Sequence, residues 1–157
     1  MGPTRTVETI EELKTLVGQE LGVGPWLEIT QERVDAFADV TGDHQHIHVD
    51  PARAARTPFG GTIAHGFLTL SLLPLLGRER EGTRIDLHSK MGVNYGLNRV
   101  RFVTPVRVGK RVRLRTTLLA VDEVAPQVYQ LTQQQTVEIE GEAKPAMVAE
   151  TIGRTYL

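Results

Sequence analysis

The chain has 157 residues, a net charge of -1 and no cysteine. This length fits one domain that buries a sizeable core, and the lack of cysteine excludes disulfides, thiolate zinc sites and a cysteine nucleophile. The near-neutral charge gives no support to binding of nucleic acid or of an anionic membrane. We therefore predict a single domain over residues 1–157 that binds neither nucleic acid nor membrane.

The ends of the chain and its apolar runs bear on location. The N-terminal segment is polar with a mild helical pattern, which is not typical of a signal peptide. The longest apolar run, GFLTLSLLPLLG, is shorter than the ~20 residues needed to span a bilayer. We expect a cytoplasmic protein.

The first part of the chain predicts helices joined by loops. A short helix is expected over residues 10–17. Its apolar face would comprise Leu13, Leu16 and Val17. Thr30 is the expected N-cap of a second helix, QERVDAFADVT, and Gly42 its expected end.

Two further helix starts follow. Asp50 and Pro51 have the residue types of a cap and a first helical position, before the short helix PARAAR. The later run IAHGFLTLSLLPLLG is apolar on every face, which is typical of a helix surrounded by protein. Pro74 within it is expected to kink or end the helix.

From Met91 the sequence changes to a period of two. The runs typical of strands are VRFVTPV, KRVRLRTTLLAV, VYQLTQQQTVEI and PAMVAETIGRTYL, separated by VG, DEVAPQ and EGEAK. An antiparallel sheet buries an apolar helix by curling around it. The predicted fold class is therefore α+β, with a curved antiparallel sheet around one long central helix.

The stretch TGDHQHIHVD raises the possibility of a metal site. On a strand, the HxHxH spacing of His44, His46 and His48 would place three imidazoles on one face, and imidazole suits zinc or copper. The stretch lies between two predicted helices, however, and a closed site needs more ligands, for which only His65 and His88 remain. Plain loop histidines are the third possibility.

An acid–base pair is the alternative that uses fewer residues. Asp43 and His48 are close enough in sequence to converge on one water across a tight loop. Addition of water to an activated double bond needs a base, an acid and a group that binds the enolate oxygen. Gly66 N–H, at the start of the apolar helix, suits that oxygen, although glycine there also fits tight packing alone.

The stretch TGDHQHIHVDPARAARTPFGGTIAHGFLTLSLL resembles the signature of the MaoC-like family of (R)-specific enoyl-CoA hydratases, G-D-x-N-P-(I/L)-H-x-D followed later by H-G. The matching positions are Gly42, Asp43, Ile47, His48, Asp50, His65 and Gly66. The stretch NYGLNRVRFVTPVRVGKRV is also similar to the first core strands of that family. The resemblance implies a hot-dog fold, which agrees with the helix and strands predicted above.

The resemblance also implies an activity. It is the reversible syn addition of water to a trans-2-enoyl-CoA, giving a (3R)-3-hydroxyacyl-CoA, with no cofactor and no metal. Asp43 and His48 would hold and activate the water, one as base and one as acid, and Gly66 N–H would bind the thioester oxygen. An acyl-CoA thioesterase and a non-catalytic acyl-thioester-binding protein are the alternatives.

Two positions depart from the family pattern. Gln45 stands where asparagine is usual, and His46 stands where proline is usual. We expect Gln45 to orient the water or Asp43, because glutamine carries the same amide on a longer stem. We assign no catalytic role to His44 or His46 and expect one of them to be exposed.

Substrate and partner expectations complete the prediction. Hot-dog domains usually pair through an open sheet edge, so we expect a homodimer. The acyl chain would lie along the central helix. The candidates for the CoA phosphates are Arg99, Arg101, Arg107, Lys110, Arg111, Arg113 and Arg115. Alternating arginine on a strand is also typical of a solvated sheet face.

Overall fold

The computed structural model describes residues 5–157. Residues 1–4 of the predicted domain, which begin the segment predicted not to be a signal peptide, lie outside the described residues. Within the described range no helix is long and apolar enough to cross a membrane. The elements in chain order are β1 Arg5–Val7, α1 Ile10–Lys14, β2 Glu20–Val23, β3 Leu27–Glu28, α2 Gln31–Thr41, α3 His46–Val49, α4 Pro51–Ala54, α5 Gly66–Ser71, α6 Leu73–Arg78, β4 Glu81–Ile85, β5 Met91–Phe102, β6 Arg111–Ala125, β7 Val128–Ile139 and β8 Met147–Tyr156.

The strands form one sheet in the order β1-β4-β2-β6-β7-β8-β5, with β3 paired to β6. All pairs are antiparallel except β1 with β4, which is parallel. Buried and less buried residues alternate along β6 from Val112 to Leu118, as expected for a sheet with one face on the core. The α+β class is confirmed, with the parallel pair as a local difference.

The predicted central helix is interrupted. α5 ends at Ser71 and α6 begins at Leu73, with Pro74 in the first turn of α6. Proline has no N–H to donate to the preceding turn, so the predicted kink at this position is confirmed. The two helices together lie against the sheet.

Burial on all sides of this helix was predicted and is wrong for the isolated chain. Leu68, Leu72 and Leu76 are buried and belong to the main hydrophobic core, because residues four apart share one helix face. Phe67 and Leu75 point elsewhere and are 69% and 39% exposed. The helix whose sequence is apolar on every face therefore has one side on the sheet, and the other side is not covered by residues 5–157.

Several predicted boundaries move. The first helix ends at Lys14 instead of residue 17, and the turn after it leaves Val17 44% exposed. The first long strand ends at Phe102, because Pro105 a little further on has no N–H for a sheet ladder. β6 continues through residues 122–125, which were predicted as loop, and β7 covers its predicted run VYQLTQQQTVEI.

Candidate active site

The predicted loop between α2 and α4 contains a turn of helix, α3. Gly42 ends α2 in the left-handed conformation with φ 79°, which glycine adopts without strain. Thr30 caps the other end of α2, accepting a hydrogen bond from Arg33 N–H at 3.2 Å. Asp50 caps α4 by accepting from Arg53 N–H at 2.9 Å. These three predictions are confirmed, and Gly42 and Asp50 fix the two ends of the TGDHQHIHVD stretch.

His48 lies on α3 and is buried. Its Nδ1 is 2.7 Å from Ile63 O, and because a carbonyl only accepts, Nδ1 carries the proton. Burial lowers the pKa of His48, and the charge of His65 adds to that effect, against the Ile63 hydrogen bond and the charge of Asp43. Within residues 5–157, Nε2 has no hydrogen-bond partner and is not fully enclosed. The neutral ring therefore presents an accepting nitrogen to a water.

His65 joins the two proposed proton-transfer groups. It is 3% exposed, and its ring stacks on His48 with centroids 3.8 Å apart and planes at 24°. Its Nε2–H donates to Asp43 O at 2.9 Å, and the Phe37 ring lies against it with centroids 5.0 Å apart and planes at 56°. Nδ1 of His65 is buried and has no partner among the described residues. The motif match included His65, but nothing in the sequence assigned it these contacts.

Asp43 lies on the exposed side of the site. A ligand atom from each of Asp43, His48 and His65 lies within 4.8 Å of the others, so the predicted convergence of Asp43 and His48 is present in the structure. The Asp43 carboxylate accepts a long hydrogen bond of 3.4 Å from Gln45 N–H. The Gln45 side chain makes no hydrogen bond within residues 5–157 and is exposed. In this structure Gln45 therefore contacts Asp43 through its backbone and not through the predicted amide.

Gly66 is the first residue of α5, directly after His65. The first amides of a helix have no partner within the helix, and no acceptor for the Gly66 N–H lies among residues 5–157, so this amide can serve the predicted role. A Cβ on Gly66 would come within 2.9 Å of the Phe102 ring. Phe102 in turn packs edge-on against Phe67 at 5.9 Å. Glycine at this position thus allows the close contact with Phe102 and also leaves a backbone amide without an intrahelical partner.

The Gln31 side chain connects α3 to the segment before α5 through two hydrogen bonds. Gln31 donates from Nε2 to His48 O at 2.7 Å and accepts from Thr62 Oγ1–H at 2.6 Å. Ile63 N–H donates to Ile47 O at 2.9 Å. These bonds tie α3 to the segment before α5, so His48 and Gly66 keep a fixed relation.

The HxHxH spacing does not gather three imidazoles, because α3 is helical. His44 is exposed and its Nε2 bonds the Asp39 carboxylate at 2.8 Å, which raises the pKa of His44. Within residues 5–157, the group with ligand spacing is Asp43, His48 and His65 instead. Its two rings stack in nearly parallel planes, so an ion in the plane of one ring lies well outside the plane of the other. This arrangement does not fit a ready-made metal centre, whose ligands direct their lone pairs to one point.

The basic residues separate into two groups. Ion pairs on the outer sheet face engage four of them: Arg111 with Glu140, Arg113 with Glu138, Arg115 with Glu20 and Glu138, and Lys110 with Glu142. For these four the structure favours the solvated sheet face. Arg99, Arg101 and Arg107 have no ion pair within the described range. The backbone of Arg107 pairs with that of Ile63 in an isolated antiparallel β-bridge. Ile63 is the residue whose carbonyl accepts the hydrogen bond from His48.

A cavity of about 880 Å³ lies between the interrupted helix and the sheet. It begins on α5 one turn after Gly66 and continues along α6. The strands that line it are β5, β6, β7 and β8. Its size is that of a small-molecule site, and it lies along the central helix, where an acyl chain was expected.

Similarity to known proteins agrees with this site. Residues 12–139 match the family described as MaoC like domain. The chain is 51% identical over 150 residues to 3-hydroxyacyl-thioester dehydratase Z of Mycobacterium tuberculosis, covering 96% of this chain and 97% of that protein. It is 47% identical over 145 residues to nodulation protein N of Rhizobium meliloti, covering 92% and 89%.

A solved structure extends the similarity to the fold. The (R)-hydratase from A. caviae matches with a TM-score of 0.69 at 30% identity, covering 87% of this chain and 94% of that one. The predicted hot-dog fold is thereby confirmed. The chain belongs to the MaoC-like dehydratase family.

Proposed function

We propose that the protein catalyses the reversible syn addition of water to a trans-2-enoyl-CoA, giving a (3R)-3-hydroxyacyl-CoA. The observation that carries the proposal is the convergence of Asp43 and His48. Their ligand atoms, with that of His65, lie within 4.8 Å of one another, directly before the free amide of Gly66. The names of the relatives, a thioester dehydratase and an (R)-hydratase, support the same reaction class.

The proposed reaction assigns each proton to a group in the site. The water oxygen bonds to C3, the double-bond electrons move to the thioester oxygen as an enolate, and C2 then takes a proton. His48 accepts at Nε2, because its Nδ1–H is held by Ile63 O. Asp43 holds the same water, and the pair returns a proton to C2. Gly66 N–H donates to the thioester oxygen, where negative charge develops.

Substitution of the pair tests this function. Asp43→Asn and His48→Gln should each lower crotonyl-CoA hydration by about 10²–10⁴-fold, the usual contribution of general acid–base groups, while circular dichroism shows the fold retained. His44→Gln is the matched control, because His44 is exposed and its Nε2 bonds Asp39, outside the group formed by Asp43, His48 and His65. Near-normal activity in either pair variant contradicts the assignment. An (S) product, or thiol release without water addition, contradicts the reaction.

We also propose a homodimer formed through β5. This strand ends the sheet and, among the strands of residues 5–157, pairs only with β8, so its outer edge offers unpaired backbone groups to a second copy. Apolar side chains along and beside it that do not line the cavity are exposed, namely Met91, Phe102 and Val103. Exposed apolar surface continuous with an open edge supports an interface.

Sedimentation tests the dimer. Met91→Glu should shift the protein to monomers, because it places a charge on the proposed apolar interface. Val40→Glu is the control, since Val40 on α2 is 79% exposed and away from β5. A wild-type monomer, or a dimer that Val40→Glu alone disrupts, contradicts the proposal.

Coenzyme A is the proposed carrier, with Arg107 among the groups that bind its phosphates. Arg107 lies next to the segment that holds His48 and has no described ion pair. Arg107→Gln should raise KM for enoyl-CoA about tenfold, the effect of one charge-assisted hydrogen bond, but not for enoyl-pantetheine, which lacks the nucleotide. Arg111→Gln is the control, because Glu140 already engages Arg111. Equal KM changes for both substrates contradict the role.

A cytoplasmic location stays a prediction.

A further inference from the structure

Every charged residue that lines the cavity is an arginine: Arg78, Arg80 and Arg154. No aspartate or glutamate lines it within the described chain. Arg78 is exposed in the last turn of α6, and the guanidinium of Arg154 lies 3.5 Å from the centre of the Tyr95 ring. Positively charged side chains contribute nothing to the binding of an unsubstituted alkyl chain. They favour a ligand that carries a negative charge.

Arg80 is the least compensated of the three. It follows α6 and is partly buried, with its Nε–H donating to Thr83 O at 2.9 Å. Within residues 5–157 no carboxylate pairs with it. Burial alone lowers the pKa of Arg80. A cation taken out of water without a partner is costly, so an anion delivered to this place gains a charge-assisted bond.

A row of buried polar side chains crosses the cavity floor next to Arg80. The stem of Arg80 packs over Gly22, where an added Cβ would be 3.4 Å from its Cδ, and Gly22 is the register partner of Thr116. Thr116 donates from Oγ1 to Gln135 Oε1 at 2.8 Å, and Gln135 Nε2 donates to Thr151 Oγ1 at 3.1 Å. Thr116 and Gln135 are 1% and 6% exposed. Polar groups on this floor suit a ligand that bears hydrogen-bonding atoms.

The position of this region defines which part of a substrate reaches it. α5 and α6 run from Gly66 to Arg78, about 18 Å at 1.5 Å per residue, and Arg80 lies two residues beyond. The thioester is held at the Gly66 end under the proposed function. Groups near Arg80 therefore meet the end of the acyl moiety that is far from the thioester.

We propose that this cavity takes an acyl group that ends in a carboxylate, and that Arg80 binds this carboxylate. The substrate class is the monothioester of a dicarboxylic acid with a trans-2 double bond. The inference rests on the proposed function, because that function places the thioester at Gly66. Arginine suits the role, since its planar fork binds a carboxylate through two parallel hydrogen bonds.

Paired substrates test the inference. A series of trans-2-enoyl-CoA thioesters of increasing length is prepared, each with either a terminal carboxylate or its methyl ester. At the length that fits best, the wild-type protein should favour the carboxylate at least about tenfold in kcat/KM, the effect of one charge-assisted hydrogen bond. Arg80→Met should bring this ratio to about one. Arg80→Lys should keep part of it, because lysine retains the charge but loses the fork.

Arg84→Met is the matched control. Arg84 lies on β4, pairs with Asp86 and does not line the cavity, so the ratio should match the wild-type value. A wild-type ratio at or below one overturns the inference, and so does a ratio that Arg80→Met leaves unchanged. Calorimetric binding of the corresponding saturated acyl-CoA pair gives the same ratio without chemistry. Loss of hydration on every substrate, with the binding preference for the carboxylate retained, therefore refutes the proposed function but not the role of Arg80.

Discussion

Replacing His65 with phenylalanine should reduce turnover far more than it reduces the free energy of unfolding. Phenylalanine keeps an aromatic ring between His48 and Phe37, where the His65 ring now stacks. It removes the Nε2–H that donates to Asp43 O at 2.9 Å. It also removes Nδ1, which is buried and has no described partner.

The effects of these changes on the free energy of unfolding partly cancel. The lost hydrogen bond costs about 1 kcal/mol, and the lost unpaired nitrogen returns about 1–3 kcal/mol of desolvation. A six-membered ring in a site with 3% exposure costs about 1–3 kcal/mol through overpacking. The expected net change lies between a gain of about 1 kcal/mol and a loss of about 3 kcal/mol, with a loss of about 1 kcal/mol at the centre of this range. Catalysis has no such compensation, because a shift of Asp43 by about 1 Å can cost about 100-fold in rate.

His65→Gln is the complementary variant. Glutamine Nε2 reaches the position of the histidine Nε2 and keeps the bond to Asp43, but it loses the ring stack. We expect it to retain more turnover than His65→Phe and to be the less stable of the two. Urea unfolding and initial hydration rates on both variants separate these effects. If His65→Phe turns over at the wild-type rate, or if turnover and stability fall together in both variants, the positioning role of His65 is wrong.

Three further predictions concern pH and capping. The pKa of His48 is lowered by burial, so the unfolded chain binds a proton first and the free energy of unfolding should fall as pH drops through about 6.5; His48→Gln should flatten that slope in urea titrations, and an unchanged slope contradicts it. Asp50→Ala should cost about 1 kcal/mol in urea unfolding by removing the cap on Arg53 N–H, whereas Asp50→Asn should cost little; equal losses would exclude capping. Burial alone raises the pKa of Glu138, but its hydrogen bonds from Arg113 and Arg115 lower it overall. Its stabilisation is therefore present above its unfolded pKa of about 4.3 and lost as pH falls through the lower folded value; thermal melts of Glu138→Gln should differ from wild type near pH 7 and converge only once the pH is below the folded pKa, and a constant difference refutes this.

The loop that carries Asp43 and His48 could be predicted from sequence because its signals are local. Caps and a left-handed glycine act within a few residues, so Thr30, Gly42 and Asp50 mark the ends of their helices without knowledge of the rest. Asp43 and His48 are also near neighbours in the chain. Their convergence needs only one short turn, which the structure provides as α3.

The contacts that sequence missed depend on distant segments. His65 reaches Asp43 across 22 positions, through a backbone path that only the folded chain defines. Arg115 pairs with Glu20 across 95 positions, which depends on β2 lying beside β6. Because the central helix is apolar on every face, the sequence did not indicate which residues contact the sheet, such as Leu72, and which are exposed, such as Phe67.

The break at Leu72 divides the central helix into two parts that can change separately. α5 presents the amide of Gly66, and its position is tied to the catalytic loop through His65. α6 forms a wall of the cavity and begins afresh after the break, with Pro74 in its first turn. Substitutions in α6 can therefore reshape the cavity while Asp43, His48 and Gly66 stay in place. A change in the preferred acyl group then needs no change in the residues around Asp43 and His48. Redesign of this protein for new substrates should therefore begin after residue 72.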